Sequence, residues 1–146
     1  MLDWFRGNKD QNEQSDLGRS ASINALYQHV QTTIAEVREV KENLLDEYSS
    51  EGFSNLSHRF EKISKDFSDF TIKRNHYFYE IIQRSGARVT SAKNIEKRAK
   101  KVAQLFEKNY KNPRSYSRVT SRLEIDKLIA ELENLEANCS ANMTGD

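Results

Sequence analysis

The sequence predicts an all-α fold, an elongated helical bundle of about four helices. Only five glycines and one proline occur in 146 residues, whereas β and α/β folds need many more turn residues. Hydrophobic residues make up 36% of the chain and charged residues 31%, so the helices must carry long solvated faces beside a lean core. The apolar residues recur at alternating spacings of three and four, which is the period of one helix face.

The first predicted helix covers residues 20–48. Its apolar positions alternate in a pattern that is typical of coiled-coil packing. The stop signal at residues 49–52 ends in Gly52, and a glycine readily adopts the left-handed conformation that closes a helix. The apolar stripe consists of Ile23, Leu26, Val30, Thr33, Val37, Val40 and Leu44.

The second predicted helix covers residues 53–85 and continues the same spacing. So short a turn between two long helices predicts that they pack as an antiparallel, coiled-coil-like hairpin. Its apolar stripe consists of Leu56, Phe60, Ile63, Phe67, Phe70, Tyr77 and Ile81.

Two shorter helices are predicted in the C-terminal part, over residues 90–111 and 116–138. Thr90 or Ser91 is a candidate N-cap for the third helix, and Pro113 prevents that helix from continuing. Heptad spacing does not say whether a partner helix lies within the chain or in a second chain, so both arrangements stay open. The two apolar stripes consist of Ile95, Ala99, Val102, Phe106 and Tyr110, and of Ile125, Leu128, Leu132 and Leu135.

Residues 19–138 are predicted to form a single helical-bundle domain, since one core usually takes about 100–200 residues. Residues 1–18 are predicted to be a flexible N-terminal segment, and residues 139–146, which are small and polar, a disordered C-terminal tail. The sequence has no run of about 18 apolar residues and no basic-then-apolar secretory pattern. These features predict a cytoplasmic protein, with peripheral attachment to a membrane as an alternative.

Residue types that are usual in catalysis form no constellation. The three histidines, His29, His58 and His76, are never three or four residues apart, so no helix face presents a metal-binding pair. Cys139 is the single cysteine and has no basic neighbour to activate it. The glutamates of the first and fourth helices lack the Glu-x-x-His pairs of a di-iron bundle. We therefore expect a non-enzymatic protein with no cofactor, no metal and no small-molecule substrate.

Positive charge is concentrated in one part of the chain. Residues 84–118 contain eleven Lys or Arg and two Glu, a net charge of +9, although the whole chain carries only +1. At 100° per residue, the lysines of the third helix fall opposite its apolar stripe. They form a candidate surface for anions or nucleic acid, with Tyr110 and Tyr116 beside it as stacking groups. Its members are Lys93, Lys97, Lys100, Lys101, Lys108, Lys111 and Arg114.

The basic stripe has other interpretations. It could pair with the acidic faces of the first and fourth helices, or it could simply be solvated. An anionic membrane or an acidic protein would also complement it.

Aromatic residues supply two candidate docking sites for partners. Leu2, Trp4 and Phe5 precede the polar linker and suit a protein pocket or a membrane interface, unless they fold back onto the end of the bundle. The adjacent rings of Tyr77, Phe78 and Tyr79 cover more than one helix face. They predict an exposed protein interface, with a wide internal core as the alternative.

These observations favour a non-enzymatic interaction or scaffold protein, a subunit or adaptor of a larger assembly. Its expected partners are other protein chains, in a homo- or hetero-oligomer. One alternative is a nucleic-acid-associated accessory protein that binds phosphates through the basic helix at residues 93–111. A second alternative is peripheral membrane association through Leu2, Trp4 and Phe5 together with the basic stripe.

Overall fold

The computed structural model describes residues 16–69 and 89–143. They form four α-helices: α1 (Asp16–Glu42), α2 (Ser50–Asp69), α3 (Val89–Lys111) and α4 (Arg118–Met143), with a short 3-10 turn (Pro113–Ser115) between α3 and α4. No strand occurs in these ranges. The prediction of an all-α bundle is therefore confirmed. The two C-terminal helices have 23 and 26 residues, close to the 27 of α1.

Consecutive helices run antiparallel. Between α1 and α2, the ring of His29 stacks on that of Phe67 with centroids 5.5 Å apart. About two turns later in α1 and about two turns earlier in α2, Glu36 lies 3.7 Å from Arg59. Contacts that advance along one helix while they retreat along the other define antiparallel neighbours.

The last helix returns to the first. Lys41 of α1 lies 2.6 Å from Asp126 of α4, and Arg38 pairs with Glu133. The helices α2 and α3 and the helices α3 and α4 are the remaining neighbours. The four described helices therefore alternate in direction around one core.

The core follows the predicted stripes closely. Every predicted position from Leu26 to Leu44 on the first stripe is buried, including Thr33, whose hydroxyl donates to the carbonyl of His29 at 2.8 Å. The predicted stripes of α2 and α4 are buried at each described position. Further buried residues extend the core beyond the prediction: Ile34, Phe53, Ala92, Ala103, Asn109, Ser121, Ile129 and Cys139.

Small residues bring α2 and α3 into the closest contact within the bundle. The Ser57 hydroxyl donates to the carbonyl of Ala103, and the Ser64 hydroxyl donates to the carbonyl of Glu96, both at 2.9 Å. A serine side chain is short, so it can reach a carbonyl of the neighbouring helix only where the two backbones approach closely. These two bonds satisfy buried hydroxyls and fix the register of the pair.

The helix α1 ends at Glu42, six residues before its predicted end. The side-chain amide of Asn43 donates to the carbonyl of Glu39 at 2.8 Å, and the backbone N–H of Asn43 contacts the same oxygen. An asparagine that bonds locally in this way competes with continuation of the helix. Leu44 stays buried, because the chain folds it back onto the core after the helix has ended.

Gly52 does not end a helix, as the sequence had suggested, but lies in the first turn of α2. Ser49 caps that turn: its hydroxyl accepts from the backbone N–H of Gly52 at 3.2 Å. A Cβ at Gly52 would stand 3.0 Å from the Tyr48 ring. The glycine therefore serves the close approach of Tyr48 rather than a left-handed turn.

The C-terminal helices differ from the prediction at two places. Tyr110, placed on the core stripe of α3 by its spacing, is 46% exposed, while Asn109 is buried and lies 3.0 Å from the Ser115 hydroxyl. The helix α4 continues to Met143, five residues beyond its predicted end. Cys139, assigned to the C-terminal tail, continues the apolar stripe four residues after Leu135 and is buried.

At one end of the bundle, the loop between α1 and α2 is joined to the connection between α3 and α4 by an aromatic cluster. The cluster consists of Tyr48, Phe53 and Tyr116. The ring centroids are 5.1–5.6 Å apart. The Tyr116 hydroxyl donates to the carbonyl of Leu45, and Arg118 lies 3.3 Å from Asp46. Burial raises the pKa of Tyr116 to about 12. The cluster therefore links the α1–α2 loop to the start of α4.

We expect Tyr116→Phe to lower the free energy of unfolding by about 1 kcal/mol, because the ring stays and the hydrogen bond to Leu45 is lost. Tyr116→Ala should cost about 2–4 kcal/mol, since it also removes the packed ring. Urea unfolding followed by circular dichroism measures both changes. Equal stability of the wild type and Tyr116→Ala would show that the cluster does not join the loops.

Among the described helices, none combines the length and the apolar character needed to cross a lipid bilayer.

Candidate anion-binding face

The seven predicted anion-binding residues all lie on α3 and the turn that follows it, and all are exposed. The buried side of α3 carries Ile95, Ala99, Val102 and Phe106. The lysines project from the opposite side, as the helical spacing predicted. We call six of them the basic face: Lys93, Lys97, Lys100, Lys101, Lys108 and Lys111.

Two members of the basic face have a carboxylate close by. Lys101 lies 3.7 Å from Glu124 of α4, and Lys111 lies 3.6 Å from Glu107 one turn before it in α3. Both pairs are loose, and the lysine side chains are 60% and 72% exposed. The Lys111–Glu107 pair is exposed on both sides and contributes little to stability, whereas the Glu124 side chain is only 13% exposed.

The other four members form no ion pair with any described residue. No carboxylate of the described residues lies within 4 Å of Lys93, Lys97, Lys100 or Lys108. The basic face therefore concentrates positive charge that the bundle itself does not neutralise.

The acidic residues of α1 and α4 pair mainly with cations of those same helices and of α2. Two carboxylates form ion pairs between α1 and α4, which are Arg38–Glu133 and Lys41–Asp126. Arg59 of α2 contacts Glu36. Among the described carboxylates of α1 and α4, only Glu124 reaches the basic face, and it also lies 3.4 Å from Lys127. Pairing with acidic faces therefore accounts for one contact of the basic stripe.

The two predicted stacking tyrosines have different surroundings. Tyr110 is exposed at the C-terminal end of α3, next to Lys111. Tyr116 is half-buried in the aromatic cluster, where its hydroxyl is already bonded to Leu45. Of the two, Tyr110 is the ring that a ligand on the basic face could reach.

A groove of about 470 Å³ runs beside the basic face, between α2 and α3. Its floor contains the serines whose hydroxyls bond across to α3, and its walls carry charges of both signs. The apolar spacing of α2 did not predict this groove, although small residues at positions 57, 64 and 68 are the signal of a close helix pair. Lys100 lies on the wall that the groove shares with the basic face.

The two described histidines, His29 and His58, and the cysteine lie apart from this surface. His29 is half-buried against Phe67, and burial lowers its pKa to about 4. His58 is exposed on α2, and Cys139 is buried in the core. Within residues 16–69 and 89–143, no three His, Cys, Asp or Glu residues group as metal ligands would.

The remaining candidate residues are Leu2, Trp4, Phe5, Tyr77, Phe78 and Tyr79, together with His76. All of them lie outside the described residues. The docking peptide and the aromatic interface therefore stay predictions.

Comparison of the chain with protein-family models, with curated proteins and with solved structures finds no match.

Proposed function

We propose that this protein is a non-enzymatic interaction protein, a subunit or adaptor of a larger assembly, that contacts an anionic partner through the basic face. One observation carries the proposal: Lys93, Lys97, Lys100 and Lys108 share one exposed side of α3 and have no carboxylate within 4 Å among the described residues.

The stability of the bundle does not explain this clustering. Like charges four residues apart on a helix, as at Lys93 and Lys97 or Lys97 and Lys101, destabilise it by a few tenths of a kcal/mol each. The core is built from the opposite side of α3. A partner that supplies negative charge would convert this repulsion into attraction, and it would also be drawn to the face from a distance.

The proposal includes the hairpin of α1 and α2, which belongs to the bundle that carries the basic face on α3. We propose that the two helices pack in the manner of an antiparallel coiled coil. The three-four spacing of buried residues on α1 supports this, as do the contacts of His29 with Phe67 and of Arg59 with Glu36.

The test is recovery of partners by the tagged full chain from its native source, followed by mass spectrometry. The variant Lys97→Glu/Lys108→Glu reverses two charges, one near each end of the basic face. The matched control, Lys62→Glu/Arg122→Glu, makes the same change in net charge on the exposed sides of α2 and α4.

We expect wild type and control to retain the same partner in comparable amount, and the Lys97→Glu/Lys108→Glu variant to lose it at least tenfold. Circular dichroism should show equal helix content in all three. The proposal is refuted if the wild-type chain elutes as a lone monomer at low salt. It is also refuted if wild type, control and the Lys97→Glu/Lys108→Glu variant all retain the partner equally.

A further inference from the structure

We infer that the partner of the basic face is the phosphate backbone of a nucleic acid, bound without regard to base sequence. The inference rests on the proposed function, because it names the partner of the same surface. The structure supports it through the length of the face, the kind of side chain it presents and the lack of apolar residues within it.

The basic face is a line rather than a cluster. From Lys93 to Lys111 the helix α3 rises about 27 Å at 1.5 Å per residue. Each strand of a DNA duplex carries one phosphate per about 3.4 Å of axis. About 27 Å of duplex axis carries about eight phosphates per strand, but each strand winds around the axis. A straight helix can therefore lie beside only some of them, and its exposed lysines can contact several at once.

The side chains of the face suit phosphates rather than base edges. Reading of bases in a groove relies on the planar groups of Arg, Asn and Gln, which bond two atoms of a base together. A lysine presents a compact point charge instead. Among the exposed positions between the lysines, Gln104 alone has a side-chain amide, so contacts to the backbone should dominate and sequence preference should be weak.

A lipid surface fits the face less well. Helices that lie in a membrane interface insert large apolar side chains beside their basic residues. The outer positions from Lys93 to Lys108 on α3 carry only polar and charged residues, and Tyr110 is the one exposed ring, at the end of the line. That position suits an aromatic ring that stacks on an unpaired base.

The lysines of the face are not equivalent, and this gives a sharp test. Each lysine that replaces a counterion on duplex DNA adds about 0.9 to the slope of log Kd against log salt concentration. Within the described part of the chain, Lys97 and Lys108 have no competing carboxylate, and they should contribute fully. Lys101 already lies 3.7 Å from Glu124, so its contribution should be smaller.

The experiment is fluorescence anisotropy with the full chain, a labelled 30-base-pair duplex of mixed sequence and an oligo-dT strand of the same length. Titrations at NaCl concentrations from about 50 to 200 mM give the salt slope. We expect a slope of about 4, a loss of about one for Lys97→Gln and for Lys108→Gln, and a smaller loss for Lys101→Gln. The Lys97→Glu/Lys108→Glu variant should bind at least thirtyfold more weakly, while Lys62→Glu/Arg122→Glu should bind like wild type.

Absence of binding to either nucleic acid at the lowest salt would overturn the inference, as would salt slopes that Lys97→Gln and Lys108→Gln leave unchanged. Tighter binding to phosphatidylserine vesicles or to polyglutamate than to the oligonucleotides would also overturn it. If the reversal variant loses a protein partner from the native source while no nucleic acid binds, the proposed function stands and this inference fails. If nucleic acid binds as expected and no native assembly is recovered, the inference stands and the adaptor role fails.

Discussion

Replacing Phe60 by alanine is expected to lower the free energy of unfolding by about 3–5 kcal/mol, the usual cost of emptying a buried phenylalanine site. Phe60 is 1% exposed, and its ring packs on that of Phe106 with centroids 5.9 Å apart. The substitution removes apolar contacts from both α2 and α3 at the centre of their interface. The free energy of unfolding of a small domain is only about 5–15 kcal/mol. The substitution therefore removes a large share of it.

Urea unfolding followed by circular dichroism at 222 nm (the helix signal) measures this effect as a shift of the midpoint. Phe60→Leu keeps most of the volume and should cost less than about 1.5 kcal/mol. Glu61→Ala, on the exposed side of the same turn, should change stability by less than about 0.5 kcal/mol. A loss below about 1 kcal/mol for Phe60→Ala would mean that α2 and α3 do not enclose this ring.

Acid should destabilise the bundle through His29. Burial, helped by nearby positive charge that includes Lys62, lowers the pKa of His29 from 6.5 to about 4. The unfolded chain therefore takes up a proton at His29 at a higher pH than the folded chain does. The contribution of His29 to stability is complete above about pH 6.5 and is lost as the pH falls towards 4.

The expected loss is about 2–3 kcal/mol between pH 7 and pH 4, from 1.36 kcal/mol per unit of pKa difference with a reduction for partial exposure. Carboxylates titrate in the same range, so the informative quantity is the difference between wild type and His29→Gln. Stability measured at several pH values should fall more steeply for the wild type. Parallel pH profiles for the two proteins would show that His29 carries the same charge in the folded and unfolded chains.

The one-dimensional pattern was sufficient to predict the helices and most of the core. Positions such as Leu26, Val37 and Leu132 follow the helical period, and the period was enough to predict that these three side chains are buried. The ends of helices depend instead on single bonds, such as that of the Asn43 amide to Glu39. Tyr110 has the spacing of a core residue, but it stands where α3 ends and the core no longer covers it.

The pairing of helices needed the structure for a similar reason. The spacing on α1 is compatible with any apolar partner, and the return of α4 to α1 shows only in contacts such as Lys41 with Asp126. For the candidate site, 100° steps along α3 predicted which lysines share a face. They did not predict which lysines have an acidic neighbour, because Glu124 comes from another helix.

The serine bonds between α2 and α3 limit which side chains a related sequence could carry at these positions. Ser57 and Ser64 face carbonyl oxygens of α3 across a close contact. Alanine would fit there at the cost of one hydrogen bond each, whereas leucine or phenylalanine would push the helices apart. Ala99 and Ala103 on the facing side are under the same restriction. Side-chain size at these four positions should thus vary far less than at the exposed lysines, which no neighbouring helix covers.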